Sequence, residues 1–253
     1  MKLNFLHPVS TQKLIITNTI SAAAFLWLFF YGGYHQRLIR KLTGSKSVVQ
    51  TTPPVSYSYH ENDSYWEQTE FHSLFETPKK IVMLGNSITF RMNWFELLNR
   101  PDVANRGIGS DVTAGFVKRV GTILKLKPRI CFIEGGVNDL GVRVPKDSIV
   151  YNLRLLIDTF HKNGIKPVLT AITYVRPPFT NADSFNLRIT ELNRELKQLA
   201  VQHRITLIDL NERLSEGNRL KAEYAQKDGV HFTAAAYLIW KEEIEKILKY
   251  EGL

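Results

Sequence analysis

The ten residues K-I-V-M-L-G-N-S-I-T, numbers 80–89, decide the fold. The run from Ile81 to Leu84 is apolar without interruption, which is typical of a strand buried on both faces, as in a parallel sheet covered by helices. Gly85-Asn86-Ser87 follows at once, and a helical pattern occupies residues 90–100. The stretch therefore predicts a strand that delivers a serine to the carboxyl edge of a parallel sheet, where such sheets bind their ligands.

The same alternation of a short apolar run and a longer amphipathic segment continues to the C-terminus. Strands are predicted within residues 103–107, 129–136, 166–173 and 205–210, with helices between them and after the last one. Such a βα repeat predicts one doubly wound α/β domain with a flavodoxin-like parallel sheet, over residues 63–253. Trp94, Phe95 and Trp240 recur at helical spacing with other apolar residues and are expected in its core.

Residues 1–62 differ in composition from the rest of the chain. Leu14 to Gly33 forms a stretch of twenty residues without a charge, and a helix of that length, at about 1.5 Å rise per residue, spans a bilayer core. We predict a transmembrane helix at about 14–33 within an N-terminal anchor, 1–42, followed by a linker rich in Ser, Thr and Pro, 43–62. A cleaved signal peptide and a buried helix are the alternatives, although the small residues Ala22–Ala24 precede the bulkiest part of the run.

The charge distribution argues against a nucleic-acid-binding surface on the predicted domain. The formal net charge is +9, but six of the 33 Lys and Arg residues lie in residues 1–60, which contain no acidic residue. Basic and acidic residues nearly balance over the remainder, whereas a protein that follows a phosphate backbone concentrates positive charge. The single cysteine, Cys131, excludes an intrachain disulfide framework and a thiolate metal cluster.

Three groups near the predicted carboxyl edge can carry chemistry. Ser87 begins a helix, where free backbone N–H groups stabilise an oxyanion, and Asn138 follows the third strand with an amide donor. Asp228 precedes His231 by three residues, so it can orient the imidazole ring while the other ring nitrogen faces a serine. Taken singly, these residues also suit an N-cap turn, a loop dipeptide and a capping histidine. Their joint occurrence favours a catalytic site.

Four blocks, G-N-S-I-T (85–89), N-R-G-I-G-S-D (105–111), G-V-N-D (136–139) and D-G-V-H (228–231), resemble the signature blocks of the SGNH, or GDSL-type, hydrolases. The resemblance covers about residues 64–249 and is closest to a bacterial single-domain branch. That branch includes carbohydrate O-acetylesterases and relatives of the catalytic subunit of platelet-activating-factor acetylhydrolase. The resemblance implies the SGNH hydrolase fold.

A catalytic triad is implied by the resemblance. It assigns Ser87 as the nucleophile, His231 as the general base and then the general acid, and Asp228 as the residue that orients His231. The reaction expected of this triad is the hydrolysis of short-chain, mainly acetyl, esters on small molecules or glycans, through an acyl-enzyme on Ser87.

An oxyanion hole is implied as well. Its donors are the backbone N–H of Ser87, the side chain of Asn138 and a backbone N–H of the second block, which falls on Ser110 next to Gly109. Many relatives have glycine in place of Ser110, and a backbone donor survives this change if the local φ and ψ remain accessible. Asn86 stands where the family name implies aspartate. No metal and no organic cofactor is implied.

Several alternatives stay open at the level of the sequence. A lysophospholipase, a thioesterase or an acyltransferase has the same fold, and a non-catalytic, membrane-tethered binding module belongs to a different functional class. Arg176, in the loop after the fourth strand, either binds the carboxylate of an acidic sugar or is a solvated arginine. The oligomeric state is not encoded in any pattern we identify.

The predicted anchor implies that the chain contacts a membrane. The charges that flank residues 14–33 slightly favour a catalytic domain inside the cell, whereas analogy with the family suggests cell-surface or periplasmic glycans. We expect the catalytic domain on the extracytoplasmic side.

Overall fold

The computed structural model describes residues 62–253, whose elements follow the predicted alternation. The strands are β1 (Ile81–Gly85), β2 (Val103–Gly107), β3 (Ile130–Glu134), β4 (Lys166–Thr170), β5 (Thr206–Ile208) and a short hairpin of β6 (Ser215–Glu216) and β7 (Arg219–Leu220). The helices are α1 (Asp63–Leu74), α2 (Ser87–Phe90), α3 (Trp94–Leu98), α4 (Thr113–Lys118), α5 (Val120–Leu124), α6 (Val137–Gly141), α7 (Lys146–Lys162), α8 (Ala182–His203), α9 (Asn211–Leu214) and α10 (Ala234–Tyr250).

One parallel sheet organises the described residues, with the strand order β2-β1-β3-β4-β5. The chain runs from β1 outward to β2 and then crosses to β3 on the other side of β1, which is the flavodoxin-like order. The switch point lies between β1 and β3, where Gly85 is in register with Glu134. The predicted single parallel α/β sheet is confirmed, and the residues that follow β1 and β3 border one crevice.

Helices cover both faces of the sheet because its central strands are apolar at nearly every position. Along β1, Val82 and Leu84 belong to one hydrophobic cluster, whereas Ile81 and Met83 belong to another. Helices α7 and α8 contribute to the first cluster, and α3 and α10 contribute to the second. Burial of this surface, at about 25 cal/mol per Å² of apolar area, stabilises the layered arrangement.

Two of the three aromatic residues expected in the core are buried. Trp94 is 1% exposed and Trp240 is 0% exposed, and their ring centroids lie 4.9 Å apart. The prediction was wrong for Phe95, which is 54% exposed. Trp94 and Leu98 form the buried face of α3, and successive helical side chains point about 100° apart, so Phe95 points away from the core.

Two asparagines of α8 hold the segment that leaves β4. Asn193 accepts a hydrogen bond from the backbone N–H of Ile172 at 2.8 Å and donates to its carbonyl at 2.7 Å. Asn186 makes the same pair of bonds with Val175, at 2.9 and 2.8 Å. These side chains form hydrogen bonds with buried backbone N–H and C=O groups that would otherwise need partners on a neighbouring strand. Strand β4 therefore ends at Thr170, earlier than predicted, and the following loop is fixed against α8.

The predicted anchor, with its transmembrane helix at about 14–33, and nearly all of the predicted linker lie outside the described residues. Within residues 62–253, no helix combines the length and the apolar composition that crossing a membrane requires.

Candidate active site

Ser87 lies at the turn between β1 and α2. Asn86 caps this helix, since its Oδ1 accepts a hydrogen bond from the backbone N–H of Ile88 at 2.8 Å. Position 85, just before Asn86, must be glycine, because a Cβ there would lie 2.0 Å from Thr89 Oγ1. The tight turn leaves Ser87 partly exposed at the carboxyl edge of the sheet.

A buried glutamate supports this turn from below. The side-chain amide of Asn86 donates to Glu134 Oε1 at 3.1 Å, and the hydroxyl of Thr89 donates to Glu134 Oε2 at 3.0 Å. Burial raises the pKa of Glu134 to about 7, although the two hydrogen bonds oppose the rise. Glu134 is not among the predicted site residues, although a carboxylate that ends an apolar strand, together with asparagine at position 86, is a signal for this contact.

The three predicted triad residues lie in hydrogen-bond contact. His231 Nε2 is 2.8 Å from Ser87 Oγ, and His231 Nδ1 is 2.6 Å from Asp228 Oδ2. The backbone N–H groups of Val230 and His231 donate to Asp228 Oδ1, each at 3.0 Å. Partial burial would raise the pKa of Asp228, but these hydrogen bonds outweigh it and lower the pKa to about 2. An ionised Asp228 fixes the tautomer in which Nδ1 carries the proton and Nε2 can accept one from Ser87.

The loop that carries the last two triad residues is held on two sides. Gly229 has a φ of +79°, and a Cβ there would lie 2.0 Å from the carbonyl oxygen of Arg176. The backbone N–H of Arg176 donates to the carbonyl of Gly229 at 2.9 Å. On the other side, the hydroxyl of Tyr237 in α10 donates to the carbonyl of Ile88 at 2.6 Å, which connects the last helix to α2.

The predicted oxyanion donors border the same space, apart from Gly109. Ser110 has a φ of +57°, in the left-handed region that favours glycine. The amide of Asn138 donates one hydrogen bond to the carbonyl of Asp111 at 2.9 Å, and its second N–H is left for a ligand. Gly109 presents its carbonyl to the amide of Asn62 at 2.8 Å and does not line the pocket.

Two buried acidic residues fix the loops that carry these donors. Asp139 accepts from the backbone N–H of Thr113 at 3.1 Å and from its hydroxyl at 2.6 Å, and burial raises the pKa of Asp139 to about 6. Asp111 accepts from Arg119 Nε at 2.8 Å, and both side chains are fully buried. The guanidinium of Arg119 also donates to the carbonyl of Gly85 at 3.1 Å. The second and third blocks are thus tied to each other and to the end of β1.

These residues surround a small pocket of about 250 Å³. Its lining residues are Ser87, Ser110, Val137, Asn138, Gly141, Val142, Phe179, Val230 and His231. Phe179 belongs to the loop after β4, so this loop forms part of the wall. The arrangement can deprotonate a serine hydroxyl and hold a tetrahedral oxyanion.

Arg176 contacts the triad loop through its backbone but does not line the catalytic pocket. It lines a separate cleft beside the β6–β7 hairpin, with Glu216, Arg219 and Lys221 among the other lining residues. The hypothesis that Arg176 contacts the substrate therefore has no geometric support in this pocket. Sequence reasoning placed Arg176 correctly after the fourth strand, but the direction of a loop side chain depends on long-range packing.

No group of three or more His, Cys, Asp and Glu side chains within residues 62–253 is arranged to hold a metal ion. The acidic residues next to the pocket are instead engaged by protein donors, as described for Asp111, Glu134, Asp139 and Asp228.

Known proteins resemble this chain in sequence and fold. The model of the GDSL-like lipase/acylhydrolase family matches residues 83–239. An N-acylneuraminate cytidylyltransferase of Streptococcus agalactiae is 28% identical over 178 residues, which are 70% of this chain. The chain spans only 40% of that relative's length.

Solved structures share the architecture. A GDSL-like lipase from Bacteroides thetaiotaomicron superposes with a TM-score of 0.66 at 22% identity, over 74% of this chain and 98% of that one. An acetyl xylan esterase superposes with a TM-score of 0.55 at 18% identity, over 66% of this chain and 98% of that one. These likenesses establish the fold, and the family match extends over more than half of the sequence. The chain belongs to the GDSL-like lipase/acylhydrolase family and is a serine hydrolase.

Proposed function

We propose that this chain is a serine esterase that removes short acyl groups, mainly acetyl, from carbohydrate esters through an acyl-enzyme on Ser87. The observation that carries the proposal is the continuous relay from Ser87 Oγ to His231 and on to Asp228, with contacts of 2.8 and 2.6 Å. In this scheme His231 Nε2 takes the hydroxyl proton as Ser87 attacks the acyl carbonyl, and Asp228 stabilises the imidazolium.

The oxyanion forms on the acyl carbonyl as Ser87 adds to it. The backbone N–H of Ser87, the backbone N–H of Ser110 and the Asn138 amide are the donors assigned to this charge. His231 then gives the proton to the leaving alcohol. A water molecule, deprotonated by the same ring, releases the acid from Ser87.

The proposal of a short acyl group is supported by the size of the pocket. It encloses about 250 Å³, and Val137, Val142, Phe179 and Val230 contribute apolar side chains to its wall. An acetyl group fits such a space, whereas the chain of a lysophospholipid would have to extend beyond it. With a series of p-nitrophenyl esters, we expect kcat/KM to be greatest for acetate and to fall beyond butyrate. A maximum at long chains would favour the lipase or thioesterase alternative.

A carbohydrate as the alcohol part is supported by the relatives. One solved structure of the same fold is an acetyl xylan esterase, and the matched curated relatives are named for a sugar substrate. Products formed in the presence of an acceptor sugar would separate hydrolysis from acyl transfer. Free acetate alone indicates an esterase, and a new sugar ester indicates an acyltransferase.

The nucleophile is tested by comparing Ser87→Ala with Ser148→Ala, which removes an exposed hydroxyl on α7. Hydrolysis of p-nitrophenyl acetate should fall at least about a thousandfold in Ser87→Ala and remain near wild type in the control. A fluorophosphonate probe should label the wild-type chain at Ser87. Full turnover by a folded Ser87→Ala preparation, or absence of labelling, would refute the assignment and revive the non-catalytic binding module.

We also propose that residues 14–33 tether the catalytic domain to a membrane on its extracytoplasmic side. The support is the uncharged run in the sequence and the analogy with enzymes of cell-surface glycans. Protease added to spheroplasts, whose plasma membrane is intact, should digest the domain, whereas protection until the spheroplasts are lysed would contradict the proposed side.

A further inference from the structure

A second open cleft adjoins the catalytic pocket. It has a volume of about 680 Å³, and two residues, Gly141 and Phe179, line both spaces. If the acyl group lies against Ser87, the alcohol part of the ester extends from the small pocket into this larger cleft. A cleft of this size accommodates a sugar. The side chains that line it therefore bear on which alcohol the enzyme accepts.

Arg188 on α8 lines this cleft in a fixed position. Its Nη2 donates to the carbonyl of Leu140 at 2.6 Å, and its Cζ lies 5.5 Å from the ring centroid of Phe185, one turn earlier on the helix. A guanidinium has five N–H donors, and this hydrogen bond uses one of them. The planar group is thus held in place with donors left for a ligand.

Arg143 lines the same cleft and is connected to Arg188 through one carbonyl. The backbone N–H of Arg143 donates to the carbonyl of Leu140 at 3.2 Å, the same acceptor that binds the Arg188 guanidinium. Arg143 has a φ of +63°, so the chain turns sharply after α6 and the residue is exposed at the cleft. The carbonyl group of Leu140 therefore holds both arginines at the same wall of the larger cleft.

Neither arginine has an ion-pair partner among residues 62–253. The only carboxylate among the described residues that line the cleft is Asp228, which is engaged by His231 at 2.6 Å and lies 3.9 Å from Arg91 Nη1. Two uncompensated positive charges therefore face one carboxylate that is already paired. This balance favours an anionic ligand.

We propose that Arg143 and Arg188 bind the carboxylate of a sugar acid, so that the preferred substrate is an acidic sugar with an ester on a hydroxyl group. The inference rests on the proposed esterase function. It moves the recognition of the carboxylate from Arg176 to the two arginines beside the catalytic pocket. A planar guanidinium suits a planar carboxylate, with which it forms paired hydrogen bonds.

Matched substrates test this assignment: O-acetylated glucuronic acid, O-acetylated glucose and O-acetylated glucose 6-phosphate. We expect kcat/KM of the full chain to be about ten- to a hundredfold higher for the sugar acid than for the neutral sugar. Arg143→Gln and Arg188→Gln should each reduce this ratio. Arg176→Gln is the matched control, because it removes an arginine from the separate cleft, and it should keep the ratio.

Three results would overturn the proposal: no preference in the wild type, a preference kept by Arg143→Gln/Arg188→Gln, or a stronger preference for the phosphate. If the chain hydrolyses no ester at all, including p-nitrophenyl acetate, the esterase function fails instead. Calorimetric binding of free glucuronate and glucose to Ser87→Ala then tests the cleft separately. Arg188→Lys keeps the charge and serves if Arg188→Gln does not fold; it should retain part of the preference.

Discussion

Replacing Asn86 by aspartate would restore the residue that gives the GDSL family its name, and we expect it to destabilise this protein. The amide of Asn86 donates to Glu134 Oε1 at 3.1 Å, and both residues are buried, at 0% and 7% exposure. In Asn86→Asp the donor becomes an acceptor, so two carboxylates meet without water between them. Such a pair can stay together only by sharing a proton.

The size of the effect follows from the distance and from the pKa of Glu134. Two unit charges 3.1 Å apart repel by about 5 kcal/mol at an effective dielectric constant of about 20, so the pair keeps one proton to well above pH 9. The unfolded chain has released that proton by then. The free energy of unfolding of the variant therefore falls by about 1.4 kcal/mol for each pH unit over which the folded chain keeps this shared proton and the unfolded chain has lost it.

Wild type and variant should differ only above neutral pH. Glu134 has its pKa raised from 4.5 to about 7, so the contribution of this residue to wild-type stability falls as pH rises between these values and then levels off. Asn86→Asp should continue to fall and lose about 3 kcal/mol relative to wild type between pH 7 and 9. Urea unfolding followed by tryptophan fluorescence at pH 6 to 9 measures this difference, since Trp94 and Trp240 are buried.

The double variant Asn86→Asp/Glu134→Gln is the decisive control. It exchanges the amide and the carboxylate, so one donor and one acceptor again face each other and no extra proton is held. Its pH profile should return to that of wild type. If Asn86→Asp tracks wild type up to pH 9, or if the double variant falls as steeply as the single one, the two side chains do not interact as described.

Three further changes test other parts of the site. Gly229→Ala combines a φ of +79° with a Cβ that would lie 2.0 Å from the Arg176 carbonyl, so we expect a loss of at least about 2 kcal/mol in thermal unfolding and a reduced kcat. Asp111→Ala leaves the buried Arg119 without its carboxylate and should cost about 3–5 kcal/mol in urea unfolding; a cost below 1 kcal/mol would show that the pair is not buried. Ser110→Gly should keep kcat/KM for p-nitrophenyl acetate within about threefold, because glycine adopts a φ of +57° readily and the proposed donor is a backbone N–H; a large loss would implicate the hydroxyl.

Local patterns were sufficient to predict the sheet and the location of Ser87 at its carboxyl edge. The apolar runs of β1 and β3 define strands buried on both faces, and parallel strands bring their carboxyl ends to one edge. Asp228 and His231 are three residues apart, so their contact lies within one loop. The rule that ligands bind at the carboxyl ends of parallel strands placed Ser87 at this edge, whereas its partnership with Asp228 and His231 was implied by the resemblance to the SGNH hydrolases.

The supporting residues could not be predicted, because they depend on the register between distant segments. Glu134 reaches Asn86 only because β1 pairs with β3 so that Gly85 lies beside Glu134. Arg188 faces the active-site edge because α8 is rotated by its packing on the sheet and by the bonds of Asn186 to the preceding loop. The apolar spacing of α8 indicates which face is buried, but it does not indicate which loops the exposed residues meet.

The hydrogen bond between Ser87 and His231 joins residues 144 positions apart, and the last helix is connected to α2 by the Tyr237 hydroxyl. Ribosomes make Ser87, Ser110 and Asn138, the proposed nucleophile and oxyanion donors, well before they make His231, the proposed base. A nascent chain that stops before His231 holds a serine without a base to activate it. The proposed relay is therefore complete only when nearly the whole domain has been made and α10 has packed against α2.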